Sequence, residues 1–546
     1  MARKTEIERK YEVPADFAVP DLTGIPGVIV VDEPAEHRLD AVYYDTPGLL
    51  LAAERVTLRR RTGGHDAGWH LKRPATGGDR TELHLPLDGH GREVPPAVQD
   101  EVRALSRGEP LVPVARIRTR RRERPLRAAD GTVLALIADD LVTSEPVGRT
   151  APAQRWREVE VELADGGRDV LDAVDEVLRS AGALPARSPS KLARALSGPT
   201  GAPSETPDRP EVLDRPEASG TAEPSGPVGS GARALNAYLR RQYDAILDTD
   251  EAVRRGDPEA VHDMRVAIRR LRSTLRTFRP LFDPVHAGRL RDELRWLGGL
   301  LGDVRDGDVV DGRLAVAVAA EPPELVAGPV AARIHGRLAA RTADARTRLA
   351  DALGGPRYAA LLDTLNGLAE TAPPGRVPRK RLRRRARKAV RRADRYLDTA
   401  LAAADTAATG TPDTAATGTP VTADATAAAD TATGGDRETR LHDARRAYKR
   451  ARYAVEVLAP LSGRPARRLA DRLTVLQDLL GGYRDTVASM ELLREYGMRA
   501  HLDGENAFTY GLLYAREQAV GERRLERLGD ARARARRPKV RRWLES

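Results

Sequence analysis

At 546 residues the chain is too long for one ordinary domain, and it contains no cysteine, which excludes disulfides and thiolate metal sites and leaves carboxylates and ten histidines to hold any cation. No run of about 18 apolar residues occurs and none follows the charges of the opening MARKTEIERKYEV, so the expectation is a soluble, cytoplasmic protein with no membrane partner. The formal net charge of +11 is uneven: residues 1–230 carry 32 basic and 38 acidic side chains, residues 231–546 carry 59 and 42, and the second half therefore calls for a polyanionic partner or surface.

From Thr5 to about Leu196, short period-2 runs broken by Gly, Pro and Asp predict a mainly β domain, with strands over 5–13, 38–45, 54–62, 68–74, 80–87, 113–122, 133–140 and 155–163. Helical spacing marks 95–106 and 168–181, the latter with Val170, Leu171, Val174, Val177 and Leu178 on one face. On the first strand Glu6, Glu8, Lys10 and Glu12 share a face, and WREVEVEL sets Glu158, Glu160 and Glu162 opposite Val159, Val161 and Leu163. Between these rows lie alternating bases: Arg59 and Arg61, His70 and Lys72, and Arg116, Arg118 and Arg120. Turned outward, the charged faces would leave an ordinary apolar core. Turned inward in a closed barrel, they would line a tunnel offering cations to phosphate oxygens and carboxylates to a divalent ion. Only eight of the 91 basic residues are lysine, four of them in the first half: Lys4, Lys10, Lys72 and Lys191.

The ordered set ExExK at 6–10, YYDT at 43–46, LRRR at 58–61, WHLKRP at 69–74, IADD at 137–140, EVEVEL at 158–163 and SKL at 190–192 resembles the CYTH domain of the triphosphate tunnel metalloenzymes over residues 3–196. The resemblance implies an eight-stranded antiparallel tunnel that binds a triphosphate with Mg²⁺ or Mn²⁺ and usually hydrolyses it. It implies Glu6, Glu8, Glu158, Glu160 and Glu162 as ligands to metal or its waters, and Lys10, Arg59, Arg61, Lys72, Arg118, Arg120 and Lys191 as phosphate contacts. Asp139 or Asp140 would assist the metal or the water, beside Glu6, Glu8 and Lys10 in the catalytic set. Six of the seven residues from Arg116 to Arg122 can donate to phosphate, so alternation does not fix which parity faces inward.

Residues 197–230, rich in Pro, Gly, Ser and Glu, predict a flexible linker, and beyond them spacings of three and four predict an all-α domain over 231–530. The octet DTAATGTP occurs at 405–412 and again at 413–420, which predicts a disordered insertion over 403–436. A larger repeat pairs 261–281 with 441–461 at an offset of 180, and 294–306 with 473–485 at an offset of 179, the signature of a duplicated helical unit. Beside the apolar seam of its first copy run His262, Arg265, Arg269, Arg272 and Arg276; beside that of the second run His442, Arg445, Lys449 and Arg452, with Glu456 opposite Arg276 and with Arg305 and Arg484 in the paired segments. A basic segment, RKRLRRRARKAVRR, stands at 379–392. This arrangement resembles the CHAD domain over about 229–530, which implies two pseudo-symmetric four-helix bundles and polyphosphate contacts from those histidines and arginines.

The two resemblances together imply a metal-dependent hydrolase of tripolyphosphate or a related triphosphate whose helical half binds inorganic polyphosphate, with polyphosphate granules as its place of association. A non-catalytic polyphosphate scaffold and a tunnel enzyme directed at a nucleotide or thiamine triphosphate are the alternatives. Aromatic residues make up 4% of the chain and form no platform for bases, which argues against a specific nucleic-acid partner.

Overall fold

The computed structural model of the chain describes residues 2–74, 79–87, 91–148, 152–197, 230–370, 377–409 and 423–545. They form two compact units, 1–220 and 221–546. The predicted linker falls almost wholly outside the described residues.

The first unit is one antiparallel sheet built from β1 (Ala2–Glu6), β2 (Glu8–Glu12), β3 (Val30–Val31), β4 (Ala35–Asp45), β5 (Thr57–Thr62), β6 (Gly68–Pro74), β7 (Arg80–Pro86), β8 (Val112–Arg127), β9 (Val133–Pro146), β10 (Gln154–Leu163) and β11 (Leu184–Pro185). Its helices are α1 (Leu50–Ala53), α2 (Pro96–Ser106), α3 (Arg168–Ser180) and α4 (Lys191–Leu196). The strand order is β1-β7-β6-β5-β4-β8-β9-β10-β2-β11. Strands β1 and β2 are two halves of one stretch, divided at Ile7. The first half pairs with β7 and the second with β10, so a single segment joins both edges and closes the sheet into a barrel. Counting β1 and β2 as one, the barrel has eight long strands, and the sequence-predicted strands correspond to them.

Closure decides which face is inside. The apolar residues of β2 and β10, Tyr11, Val159, Val161 and Leu163, face outward, where α3 covers them with Val170, Leu171, Val174 and Leu178. A second cluster, on the inward parity of its strands, joins Tyr43, Ile117, Val142 and Trp156 to Leu192 and Ala195 of α4. Burial of each such side chain contributes about 1.5–3 kcal/mol. The α3 layer thus lies outside the barrel, and Glu8, Lys10, Glu160 and Glu162 at the alternate positions of β2 and β10 point into the lumen.

The second unit is all-helical: α5 (Ser230–Arg254), α6 (Pro258–Thr277), α7 (Pro284–Ala319), α8 (Val330–Gly354), α9 (Pro356–Glu370), α10 (Arg379–Thr409), α11 (Ala423–Glu456), α12 (Ala459–Ser462), α13 (Arg464–Leu502), α14 (Phe508–Arg536) and α15 (Pro538–Glu545). Helices α5, α6, α7 and α9 pack together, as do α10, α11, α13 and α14, and the repeat-related α6 and α11 contact each other. The far ends of α7 and α13 meet α8 and α14 in a further core around Leu314, Ile334, Leu493 and Tyr510. The seam residues Val261, Met264, Ile268, Leu271 and Leu275 are buried, as are Leu441, Ala444, Tyr448, Ala451, Val455 and Leu458. The disorder expected over 403–436 is corrected at both ends, because α10 continues to Thr409 and α11 starts at Ala423; Ala is the best helix former and extends each backbone. Residues 410–422 lie outside the described residues. Among the described residues no helix is long and apolar enough to cross a membrane.

Candidate active site and polyanion surface

The barrel encloses a cavity of about 470 Å³ lined by charged residues of both signs. Acids and bases are interleaved around its wall: Glu6, Glu8 and Lys10 come from β1 and β2, Arg59 and Arg61 from β5, Lys72 from β6, Arg80 and Glu82 from β7, Arg121 from β8 and Glu160 from β10, with Asp140 of β9 buried behind them. All four lysines of the first half line this cavity. Lys10 Nζ lies 2.7 Å from Glu160 and 3.1 Å from Glu8, Lys72 Nζ 2.6 Å from Glu6, and Lys4 Nζ 2.9 Å from Glu162. In an arginine-rich chain the compact ammonium is retained where one point charge must fit between carboxylates.

Lys191 shows how the sequence places such a charge. Ser190 caps α4 by accepting from Ala193 N at 3.0 Å, Leu192 packs into the apolar cluster with Ile117 and Trp156, and Lys191 between them turns towards the charged lumen. Its Nζ stands 2.6 Å from Glu158, 2.8 Å from Glu160 and 2.9 Å from Asp140. Burial opposes this ammonium, but Glu160, Asp140 and Glu158 outweigh it and hold its pKa well above the usual lysine value. Burial likewise pushes the Glu6 carboxyl up to about 7 against the pull of Lys72.

The parity of β8 is the opposite of the one expected. Arg118 and Arg120 point outward to Glu145 and Glu36, and Arg116 to Asp40, because the pairing of β4 and β9 with β8 offers acids on the outer face. Arg121 is the inward arginine: its guanidinium donates to Asp140 at 2.9 and 2.7 Å and to Glu160 at 2.7 Å. Asp139 also leaves the predicted set, since it pairs with Arg157 at 2.8 Å and does not line the cavity. Glu12 instead accepts from Arg187 N at 3.2 Å, beyond the lumen. Glu158 is buried beside the lumen and accepts from Trp156 Nε1 at 2.5 Å.

In the helical unit the predicted stripe divides. Arg265 donates to Asp306 at 2.7 Å and Arg269 to the Tyr453 hydroxyl at 2.8 Å, while Arg445 and Lys449 share their surroundings with both. Gly302 of α7 and its repeat partner Gly481 of α13 admit the guanidinium groups of Arg265 and Arg445, whose atoms come within 3.7 and 3.4 Å of where a Cβ would stand. Burial lowers Lys449 to about 6, with Arg269, Arg445 and Arg265 adding to the shift. His262 and His442 are both lowered, first by burial and then by neighbouring arginines, Arg305 for the first and Arg446 for the second. Arg452 pairs with Glu456 at 3.1 Å and Arg484 with Glu438 at 2.7 Å.

Residues 4–196 match the CYTH domain family and residues 237–494 the CHAD domain family. An uncharacterized protein of Mycobacterium tuberculosis is 36% identical over 540 residues, spanning 96% of this chain and 95% of its own. The chain belongs to the CYTH–CHAD proteins. Among solved structures, PptA from Streptomyces chartreusis is 23% identical with a TM-score of 0.42, over 55% of this chain and 98% of its own. The CHAD domain from Ricinus communis is 25% identical with a TM-score of 0.39, over 58% and 94%.

In this CYTH–CHAD protein several inward residues escaped the sequence reading, among them Glu82, Tyr43 and Arg121. Glu82 accepts from His70 Nδ1 at 2.8 Å and lies 3.6 Å from Lys72, and alternation with Arg80 and His84 along β7 was its available signal. Tyr43 accepts from Arg59 at 3.4 Å, and Asp45, two positions on, anchors the following loop by accepting from Thr46, Leu51 and Ala52 N–H. Arg121 had no distinguishing signal inside its arginine run. As for a metal, Asp140, Glu158 and Glu160 each present an oxygen within 4.8 Å of the others. This all-oxygen set suits Mg²⁺ or Mn²⁺, and the Lys191 ammonium in contact with all three shows that the point already favours a cation.

Proposed function

We propose that the CYTH half is a divalent-metal-dependent triphosphatase acting on inorganic tripolyphosphate or a related triphosphate, and that the CHAD half binds inorganic polyphosphate. The observation that supports it is the lumen itself: carboxylates and cationic side chains, most of them buried or half-buried, converge on one cavity inside the barrel. Its volume of about 470 Å³ lies in the roughly 300–1,000 Å³ range of small-ligand sites. Arg59, Arg61, Lys72 and Arg121 bind the non-bridging oxygens, and their fixed positions orient the chain of phosphates along the barrel. Glu160 with Asp140 and Glu158, and Glu6, Glu8 and Glu162 beside them, would hold the metal. A divalent cation there supplies charge neutralisation on phosphoryl oxygens and acidifies water. No covalent nucleophile is required of the chain.

Phosphate release from tripolyphosphate, ATP, thiamine triphosphate and long-chain polyphosphate, each with Mg²⁺ or Mn²⁺, tests the reading. Release that Glu8→Ala and Glu160→Ala abolish is expected; release no greater than theirs from the parent protein would refute the enzymatic half. A binding-only reading has one observation in its favour: Lys191 already saturates the carboxylate trio that a metal would share. Tight polyphosphate capture without turnover, and a polyphosphate-granule association, would be its outcome.

A further inference from the structure

The CHAD repeat is symmetric in its helices and asymmetric in its charge. The offset of 180 pairs Arg270 with Arg450 and Arg272 with Arg452, yet sets Glu456 where the first copy has Arg276. Each of these positions lies near the junction of α6 and α11, so one substitution alters one side of the junction only.

On the side of Arg276, six guanidinium groups from four helices converge: Arg272 and Arg276 of α6, Arg291 of α7, Arg392 of α10, and Arg446 and Arg450 of α11. Among the described residues none of the six is in an ion pair. Arg392 donates to the Tyr396 hydroxyl at 2.9 Å. Burial and mutual repulsion lower Arg272, Arg276 and Arg450, the last to about 10, so the cluster is held at an electrostatic cost that a bound polyanion would relieve. The other side carries no such deficit. There Glu456 lies 3.1 Å from Arg452 and 3.4 Å from Arg270 and accepts from the Tyr238 hydroxyl at 2.9 Å. Both arginines also lie over the Tyr453 ring, at 4.9 and 5.8 Å from its centroid.

We propose that linear polyphosphate is held by the CHAD domain on the Arg272–Arg450 side alone, and that Glu456 keeps the repeat-related side closed to it. This rests on the reading that the CHAD half binds polyphosphate. A chain leaving the central Arg265, Arg269, Arg445 and Lys449 meets unpaired forks in one direction. In the other it meets a carboxylate that repels it and two arginines whose charge that carboxylate already neutralises. The bound polymer therefore exits the junction one way, although the fold offers two.

The test uses the full chain with Arg59→Ala and Lys72→Ala in the tunnel, so that binding of end-labelled long-chain polyphosphate reports on the helices. Arg272→Gln with Arg450→Gln is expected to weaken binding about tenfold or more. The triple change Arg270→Gln, Arg452→Gln, Glu456→Gln, which strands no carboxylate, is expected to change it by less than about twofold. Glu456→Gln alone is expected to tighten binding and to raise the number of phosphates covered per protein. Thermal melts check that each variant is folded, and Arg272→Lys with Arg450→Lys keeps the charge if the Gln pair unfolds. Equal losses on the two sides, or no gain from Glu456→Gln, would overturn one-sidedness while leaving polyphosphate binding intact. Absence of binding by the parent protein would remove the polyphosphate reading and this inference with it, and preference for RNA at matched phosphate and salt would reassign the ligand.

Discussion

Replacing Arg121 and Arg120 in parallel separates the inward register of β8 from its outward one. The Arg121 guanidinium makes three charge-assisted bonds, to Asp140 at 2.9 and 2.7 Å and to Glu160 at 2.7 Å. The three side chains are 18%, 0% and 11% exposed, so solvent screens them weakly. Removing one member of a buried pair costs about 3–5 kcal/mol because the other is stranded. Lys191 remains 2.9 Å from Asp140 and 2.8 Å from Glu160, which favours the lower end, about 3 kcal/mol. For a domain of this size about 2–4 °C accompanies each kcal/mol, so Arg121→Ala should lower the CYTH Tm by about 6–12 °C in calorimetry. Loss of a charge-assisted phosphate contact should reduce kcat/KM for tripolyphosphate by about 10- to 100-fold. Arg120, exposed and paired with Glu36, should alter neither. An Arg120→Ala variant as damaged as Arg121→Ala would refute the register and, with it, the assignment of the lumen.

Gly63→Ala should destabilise the CYTH domain by at least about 1 kcal/mol, read as a lower Tm, because φ is +81° and the new Cβ would stand 2.1 Å from the Arg38 carbonyl oxygen. Lys191→Ala opens the carboxylate trio, so Mn²⁺ affinity measured by EPR should rise while phosphate release falls; unchanged Mn²⁺ affinity would exclude the trio from metal binding. Lys449 is mostly neutral above about pH 6 because burial and then Arg269, Arg445 and Arg265 disfavour its proton, and a bound polyanion restores it. Polyphosphate binding should therefore take up protons and weaken as pH rises from about 6 towards the ordinary lysine value of 10.5. Calorimetry in two buffers of different ionisation enthalpy checks this uptake, and Lys449→Met should abolish it.

Much of the barrel is legible in the chain because period 2 survives in every long strand, and the duplicated helices because a seam and its flanking bases recur together at one offset. Legibility fails where both faces of an element carry the same chemistry. Strand β8 bears arginines on each side, those outside answered by Asp40, Glu36 and Glu145 from neighbouring strands, and no property of the run itself distinguishes Arg121 from Arg120. IADD poses the same problem with two adjacent aspartates, one of which pairs outward with Arg157. The retained lysines were the sharper signal, since even Lys4, outside every motif, pairs with a carboxylate of the lumen. The alternation of Arg80, Glu82 and His84 carried equal information and lay in a strand already recognised. In the helical repeat, the single departure at Glu456 proved more informative than the positions that agree.

The divided strand that closes the barrel has a consequence for how the protein is made. Residues 2–12 are synthesised before any other part of the sheet, but their second half pairs with 158–162, some 150 positions later as the Glu160 and Lys10 registry shows, and with Leu184 and Pro185 later still. Until β10 has emerged, the charged lumen is an open, hydrated ribbon, and the seam is among the most nonlocal contacts of the unit. Assembly of the charged chamber is therefore a late event, completed when the earliest segment finds one of the last.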